Sequence, residues 1–281
     1  MTWKIVSDSG CDFQKIKDLA VATNFERVPL TIQVGNEIFT DDAELDIDEM
    51  MEKMYATSTA SKSACPSPDD YLKTFANADN IFVVTITGTL SGSNNSAQLA
   101  KKLYQEEHPN VNIHVIDSLS AGGEIDLIVH KINHLIGQGL SFEEVAQAIT
   151  DYQEKTKLLF VLSKVDNLVK NGRLSKLLGT VVGLLNIRMV GEASSQGTLE
   201  LLQKARGHKK SLTAAFEELL KAGYAGGEII IAHRNNTKFC QQFSELVKEK
   251  YPKASITIIP TSGLCSFYAE EGGLLMGYEI E

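Results

Sequence analysis

Little in this sequence is set up for covalent, metal or nucleic-acid chemistry. The cysteines are four, Cys11, Cys65, Cys240 and Cys265, and no two form a C-x-x-C pair, which removes the usual zinc and dithiol motifs. Positive charge is also short: 27 Lys and Arg stand against 36 Asp and Glu, a net charge of −9. A general nucleic-acid binder needs a basic surface to neutralise phosphate, so that class is excluded. The longest strongly apolar run, LLGTVVGLLNI (177–187), is too short to span a bilayer. The opening MTWKIVSDSG reads as a strand and lacks the apolar core of a signal peptide. These features predict a cytoplasmic protein with reduced thiols, in which the sequons at Asn94 and Asn235 carry no glycan.

Sharper catalytic motifs are missing as well. Gly88-Thr89-Leu90-Ser91-Gly92 is not the G-x-S-x-G of a nucleophile elbow, and no Gly-Lys-Ser/Thr follows it as in a phosphate loop. His130 and His134 have the i, i+4 spacing of metal ligands, but Lys131 stands where a metalloprotease carries Glu, so a partly exposed structural pair is expected. Asp42, Glu44, Asp46 and Asp48 resemble a calcium loop in spacing. Ile47 occupies the place of its glycine and Lys53 that of its closing Glu, so a solvated helix start is expected instead. Cys65 has no nearby base or cation to activate it. No local Ser–His or Cys–His arrangement is present.

What is present is an alternation of strands and helices. WKIVS (3–7), IFVVTI (81–86) and NIHVID (112–117) read as strands buried on both faces. Amphipathic stretches lie between them, with Ala97, Ala100, Leu103 and Tyr104 on one helical face. That alternation predicts a parallel α/β sheet. Ser67-Pro68-Asp69-Asp70 marks a helix start, and Ser141 with Glu144 a capping box. The second half differs: LLFVL (158–162), EIIIAH (228–233) and SITIIP (255–260) mix with helical patterns at 211–221 and 237–250. At 281 residues the chain accommodates two domains, assigned here as 1–160 and 161–281.

Each early strand runs into small hydroxyls and glycines: Ser7-Asp8-Ser9-Gly10, then Thr87 to Ser93, then Asp117-Ser118 and Ser120-Ala121-Gly122-Gly123. Ligands in open parallel sheets sit beyond the carboxyl ends of the strands. Any one loop is explained by turns and caps; three together predict a crevice. A phosphate, a reacting carbonyl and a carboxylate all remain candidates for its guest. Asn171-Gly172-Arg173-Leu174-Ser175-Lys176 adds a turn presenting one arginine before a helix. The apolar run beyond it, with Gly179 and Gly183, is either packed core or the wall of an elongated pocket.

Eight segments in order then resemble the DegV family of bacterial fatty-acid-binding proteins, nearly end to end. They are IVSDSGCDF (5–13), RVPLTIQVGNEIFTDD (27–42), SACPSPDDYLKTF (63–75), ITGTLSGSNNSA (86–97), HVIDSLSAGGE (114–124), NGRLSK (171–176), LLNI (184–187) and EGGLLMGYE (271–279). The resemblance implies an α/β fold. An N-terminal domain with a helix-flanked parallel sheet is joined to a C-terminal α/β domain with a mostly antiparallel sheet, and a long-chain fatty acid lies between them. It implies no cofactor and no metal. It also implies that the chain is no enzyme by itself, but presents the acyl carboxylate to a separate fatty acid kinase subunit. Carried over by position, Ser63 and Ser91 hold the carboxylate, Arg173 supports that end of the pocket, and the family's histidine falls on Tyr268 or, in another alignment, Phe267. The sequence departs from the family at Ser63-Ala64-Cys65 (commonly Thr-Ser-Gln) and at Ser93-Asn94-Asn95 (Thr-Tyr-Gln). It departs again at Tyr268-Ala269-Glu270-Glu271-Gly272 (His-x-Gly-Pro-Gly), which bears on handover to the kinase more than on lipid binding. Two other readings stand beside this one: an enzyme acting on a small phosphorylated or carboxylated metabolite in the same crevice, and a protein-interaction module. The basic stretch KARGHKK (204–210) reads as a solvated face or loop, with transient membrane contact during loading as its functional alternative.

Overall fold

A computed structural model describes residues 1–174 and 186–281. The chain opens with β1 (Trp3–Asp8), β2 (Thr23–Val28), β3 (Thr31–Val34), β4 (Glu37–Thr40), α1 (Ile47–Ala56), β5 (Lys62–Ala64) and α2 (Pro68–Thr74). It continues through β6 (Asn80–Thr85), α3 (Ser93–Glu107), β7 (Asn112–Asp117), α4 (Gly123–Gly137), α5 (Phe142–Gln153), β8 (Thr156–Leu162) and α6 (Asp166–Lys170). After the undescribed residues come β9 (Ile187–Ala193), β10 (Leu199–Arg206), α7 (His208–Lys221), β11 (Glu228–His233), α8 (Thr237–Lys250), β12 (Ser255–Pro260), α9 (Gly263–Ala269) and β13 (Leu274–Glu279).

The first sheet runs β2-β1-β6-β7 and is parallel throughout. Its centre comes from runs that are apolar on both faces: β6 is buried at every position and β1 at all but the first. The second sheet runs β10-β9-β8-β13-β11-β12, and only β11 and β12 pair in parallel. The architecture is therefore the α/β arrangement expected, parallel in the N-terminal half and mostly antiparallel in the C-terminal half. Two features go beyond that expectation. β2 is an edge strand whose TNFERV mixes apolar and charged residues, with Glu26 accepting a 2.7 Å bond from the buried Lys4 ammonium. A third, antiparallel sheet, β4-β3-β5, has strands too short to show a period.

Helix starts follow local chemistry. Ser67 caps α2 and Ser141 caps α5, each in a reciprocal capping box, with Asp70 and Glu144 respectively; each cap is worth about 1 kcal/mol. Asp46 caps α1, so the acids around it are a helix start. Among the described residues no group of His, Cys, Asp or Glu is arranged for a metal ion, and His130 instead meets Glu228 at 3.1 Å. On α3, Ala97 and Ala100 are buried and Tyr104 packs beside them. Leu103 departs from the expected face and is 41% exposed, because it lies roughly 120° around the helix from Ala97. The 204–210 stretch is the end of β10 and the first turn of α7. The expected helix after Arg173, with Gly179 and Gly183, lies outside the described residues.

α4 joins the halves. Its Ile125, Leu127, Ile128, Val129 and Ile132 are fully buried, and it packs against β1 and β6 on one side and β11 and β13 on the other. The approach is close enough that a Cβ on Gly123 would sit 2.4 Å from the Ile230 carbonyl oxygen, and one on Gly277 2.2 Å from the Gly123 oxygen. Only glycine allows the first turn of α4 to lie on the β13 backbone.

Candidate functional site

The loops after β1, β6 and β7 meet by bonding to one another. Asp8 accepts from Gly10 N–H at 2.9 Å, from Ile86 N–H at 3.0 Å and from Ser93 Oγ at 2.5 Å, while Tyr71 OH lies 2.7 Å from the same Ser93 oxygen. Gly122 N–H donates to Gly10 O at 2.8 Å and Thr87 N–H to Ser120 O at 2.9 Å. Burial raises the Asp8 carboxyl to about 6 against the pull of these donors. The first loop is thus a clamp. It does not line the cavity beside it, a departure from the expected three-loop crevice, because Asp8 and Ser9 are occupied within the fold: Ser9 Oγ accepts from Leu30 N–H at 3.0 Å.

A cavity of about 300 Å³ opens beyond the second and third loops. The apolar wall is built by alternation on β8, where Leu158, Phe160 and Leu162 face the cavity while Leu159 and Val161 pack into the core on the other side of the sheet. Leu275 of β13, Leu168 of α6 and Leu264 of α9 extend that wall. Burying such surface against an apolar guest gains roughly 25 cal/mol per Å².

Polar groups are gathered on one stretch of the lining: Ser63, Ser91, Arg173 and Tyr268. Ser63 arrives on β5, opposite Ile32 of β3, and its Oγ lies 2.8 Å from Tyr268 OH. Burial raises the Tyr268 phenol above its ordinary value, so it stays neutral at physiological pH. Arg173 follows the turn at Gly172, whose φ is +73°. Its Nε donates to Leu90 O at 3.3 Å and its Nη1 to Asn171 O at 2.7 Å, with Cζ 6.0 Å from the Tyr268 ring centroid. Ser91 precedes α3, which has no side-chain cap and no acid in its first turn. The Asp8 carboxyl, which accepts from Ser93 Oγ at 2.5 Å, already offsets part of the positive end of that helix, and Ser91 Oγ accepts from Ser93 N–H at 3.3 Å. Among the described lining residues, one cation, Arg173, and several hydroxyls suit a carboxylate attached to an apolar body.

The structure brings together all four residues carried over by resemblance, and of the two alignments it is Tyr268 that faces the cavity. Phe267 is fully buried with Ile32 and Met50. Cys65 also reaches the lining. The apolar wall was not recognised from sequence; the alternation in LLFVL was the available signal. Cys11 and Cys265 are buried, which pushes both thiols well up and removes them as nucleophiles.

An apolar cavity with one polar end, set in an α/β protein, has the form of a small-molecule binding site. More particularly, the DegV family model matches residues 2–279, and the chain belongs to that family. A DegV domain-containing protein of Streptococcus gordonii is 83% identical over the full length of both chains. Among solved structures, the Streptococcus pneumoniae fatty acid kinase (Fak) B3 protein loaded with linoleic acid is 73% identical, with a TM-score of 0.99 over both whole chains. A DegV family protein of Eubacterium eligens loaded with heptadecanoic acid is 39% identical, with a TM-score of 0.96 and full coverage of both.

Proposed function

We infer that this protein binds one long-chain fatty acid in the cavity, carboxylate toward Ser63, Ser91, Arg173 and Tyr268, and presents that carboxylate to a separate fatty acid kinase subunit. The observation that carries the reading is the division of the cavity into an apolar wall and a single polar stretch. The fatty acids in structures that share its fold at 73% and 39% identity support it. An acyl chain of about fifteen methylenes gains roughly 0.8 kcal/mol each on burial, on the order of 10 kcal/mol gross. A hydrogen bond to a charged group contributes about 1.5–3 kcal/mol. The tail therefore supplies most of the affinity, and the hydroxyls and Arg173 set which end faces outward. Among the described residues the cavity lining holds no activated nucleophile or base, and this reading gives phosphoryl transfer to a partner, which the name of the Streptococcus pneumoniae relative supports.

The test is direct. Purified protein is denatured and its extract analysed by mass spectrometry, and the delipidated protein is melted with and without added oleic acid. Recovered fatty acid and a raised melting temperature are expected; lipid-free protein unmoved by oleic acid sinks the reading. Capture of the host's fatty acid kinase subunit by the loaded protein checks the partner separately.

A further inference from the structure

Glu270 occupies a backbone conformation ill suited to it. It closes α9 with φ 53° and ψ −174°, a combination essentially restricted to glycine. The surrounding bonds hold it there: its N–H donates to Ser266 O at 2.9 Å, and Gly273 N–H donates to its carbonyl at 3.1 Å. The side chain is turned inward and the residue is 2% exposed. Its Oε1 accepts from the Asn167 N–H at 3.3 Å, across 103 residues of sequence.

That amide belongs to the first turn of α6, whose own N-cap, Val165, offers no side-chain acceptor. A helix start leaves backbone N–H groups without partners, and an oxygen acceptor there stabilises it. Glu270 supplies that oxygen from α9. A second bond, from Asn167 Nδ2 to Phe267 O at 2.8 Å, laces the same two elements. Each element then leads to the polar stretch of the cavity. Tyr268 stands two residues before Glu270, and Arg173 leaves α6 with its N–H bonded to Leu168 O at 2.8 Å.

We propose that Glu270 is a positioning residue for the head-group site, capping α6 from α9 so that Arg173 and Tyr268 keep their mutual placement. The strained backbone persists because it aims the carboxylate at α6. The proposal rests on reading the cavity as a fatty-acid site.

The experiment compares wild type, Glu270→Gly, Glu270→Gln and Glu270→Asp. Hydrogen exchange is followed over residues 167–174 in delipidated protein, and affinity is measured for cis-parinaric acid and for its methyl ester. Glycine relieves the strain and removes the acceptor, so E270G is expected to melt no lower than wild type. Its 167–174 amides exchange roughly tenfold faster, as for a lost cap. Affinity for the acid falls by a similar factor while the ester is unaffected. E270Q keeps an oxygen acceptor and restores both. E270D, one methylene shorter, retains the backbone strain and follows E270G in exchange, which covers the case of an E270G that does not fold. Wild-type exchange in both E270G and E270D, or acid and ester weakened alike, overturns the proposal. Wild-type protein that binds neither probe overturns the fatty-acid reading instead, and the exchange arm still decides whether Glu270 holds α6.

Discussion

Ser63 and Tyr268, 205 residues apart in sequence, place their hydroxyl oxygens 2.8 Å apart on the wall of the cavity. Neither oxygen carries charge, and the Tyr268 phenol is kept neutral by burial. The pair joins β5 to α9, and Arg173 lies over the Tyr268 ring. With Ser91 ahead of α3, the polar end of the cavity is assembled from four separate parts of the chain, and among the described residues it offers a carboxylate one permanent cation and a set of neutral donors.

Removing donors should loosen binding without abolishing it. Ser63→Ala and Ser91→Ala are each expected to weaken oleic acid by roughly tenfold, the loss of about 1.5 kcal/mol for a hydrogen bond to a charged group. Methyl oleate, which lacks the carboxylate charge, should be nearly unaffected. Titration calorimetry on the single and double variants checks this; a double variant with wild-type affinity for the acid counts against both residues.

The parts that were legible in the sequence are those whose signal is local. β1, β6 and β7 show as apolar runs, and Ser67 and Ser141 show as caps because their partners lie three residues away. β3, β4 and β5 hold too few residues to display a period, so the element that carries Ser63 was invisible as a strand. LLFVL was readable as a strand but not as two-sided, since which of Leu158 and Leu159 faces the cavity depends on what packs behind β8. Which of Phe267 and Tyr268 reaches the cavity depends on one residue of rotation in a short helix, and it follows from the packing of Phe267 against Met50, which no local pattern shows. A glutamate does not announce a positive φ, and the only signal for Glu270 was that it stands where the family's His-x-Gly-Pro-Gly pattern carries its first glycine.

At Gly123 and Gly277 the first turn of α4 lies directly on the backbone of β11 and β13. A Cβ at Gly123 meets three backbone atoms at 2.4, 2.6 and 2.8 Å, none of which can move without displacing β11 or β13. Gly123→Ala should therefore destabilise by about 3 kcal/mol or more, a drop of roughly 6–12 °C in melting temperature for a chain of this size. Thermal denaturation followed by circular dichroism tests it, and an unchanged melting temperature would refute the tight approach.

Glu124, in the first turn of α4, is buried and accepts from Thr156 Oγ1 at 2.8 Å. Burial raises its carboxyl from 4.5 to about 7. In the unfolded chain the group ionises at the lower value, so between pH 4.5 and about 7 the folded state holds a proton that the unfolded state has released. Stability from this group accordingly falls as pH rises through that window and is level above it. The loss is on the order of 3 kcal/mol. Glu124→Gln keeps an acceptor for Thr156 and has no charge to bury. It should melt with wild type at pH 4.5 and above it at pH 8; parallel curves across the range would show that Glu124 is not the cause.

Tyr268 also predicts how binding responds to pH. Its phenol is shifted upward by burial, so between pH 6 and 8 the head-group wall contains no tyrosine that changes charge, and the affinity for oleic acid should vary little beyond the ligand's own ionisation. Tyr268→His installs a group with an ordinary pKa of about 6.5. A bound carboxylate favours its protonated form, and reciprocally the protonated imidazole favours the carboxylate. The variant should therefore bind oleic acid more tightly at pH 6 than at pH 8, by a margin that wild type lacks, with Tyr268→Phe as the control that removes the hydroxyl and adds no charge. Fluorescence displacement of cis-parinaric acid at both pH values reads the difference. If Tyr268→His and Tyr268→Phe respond to pH alike, residue 268 does not face the carboxylate, and the orientation of the lipid in the cavity must be reversed.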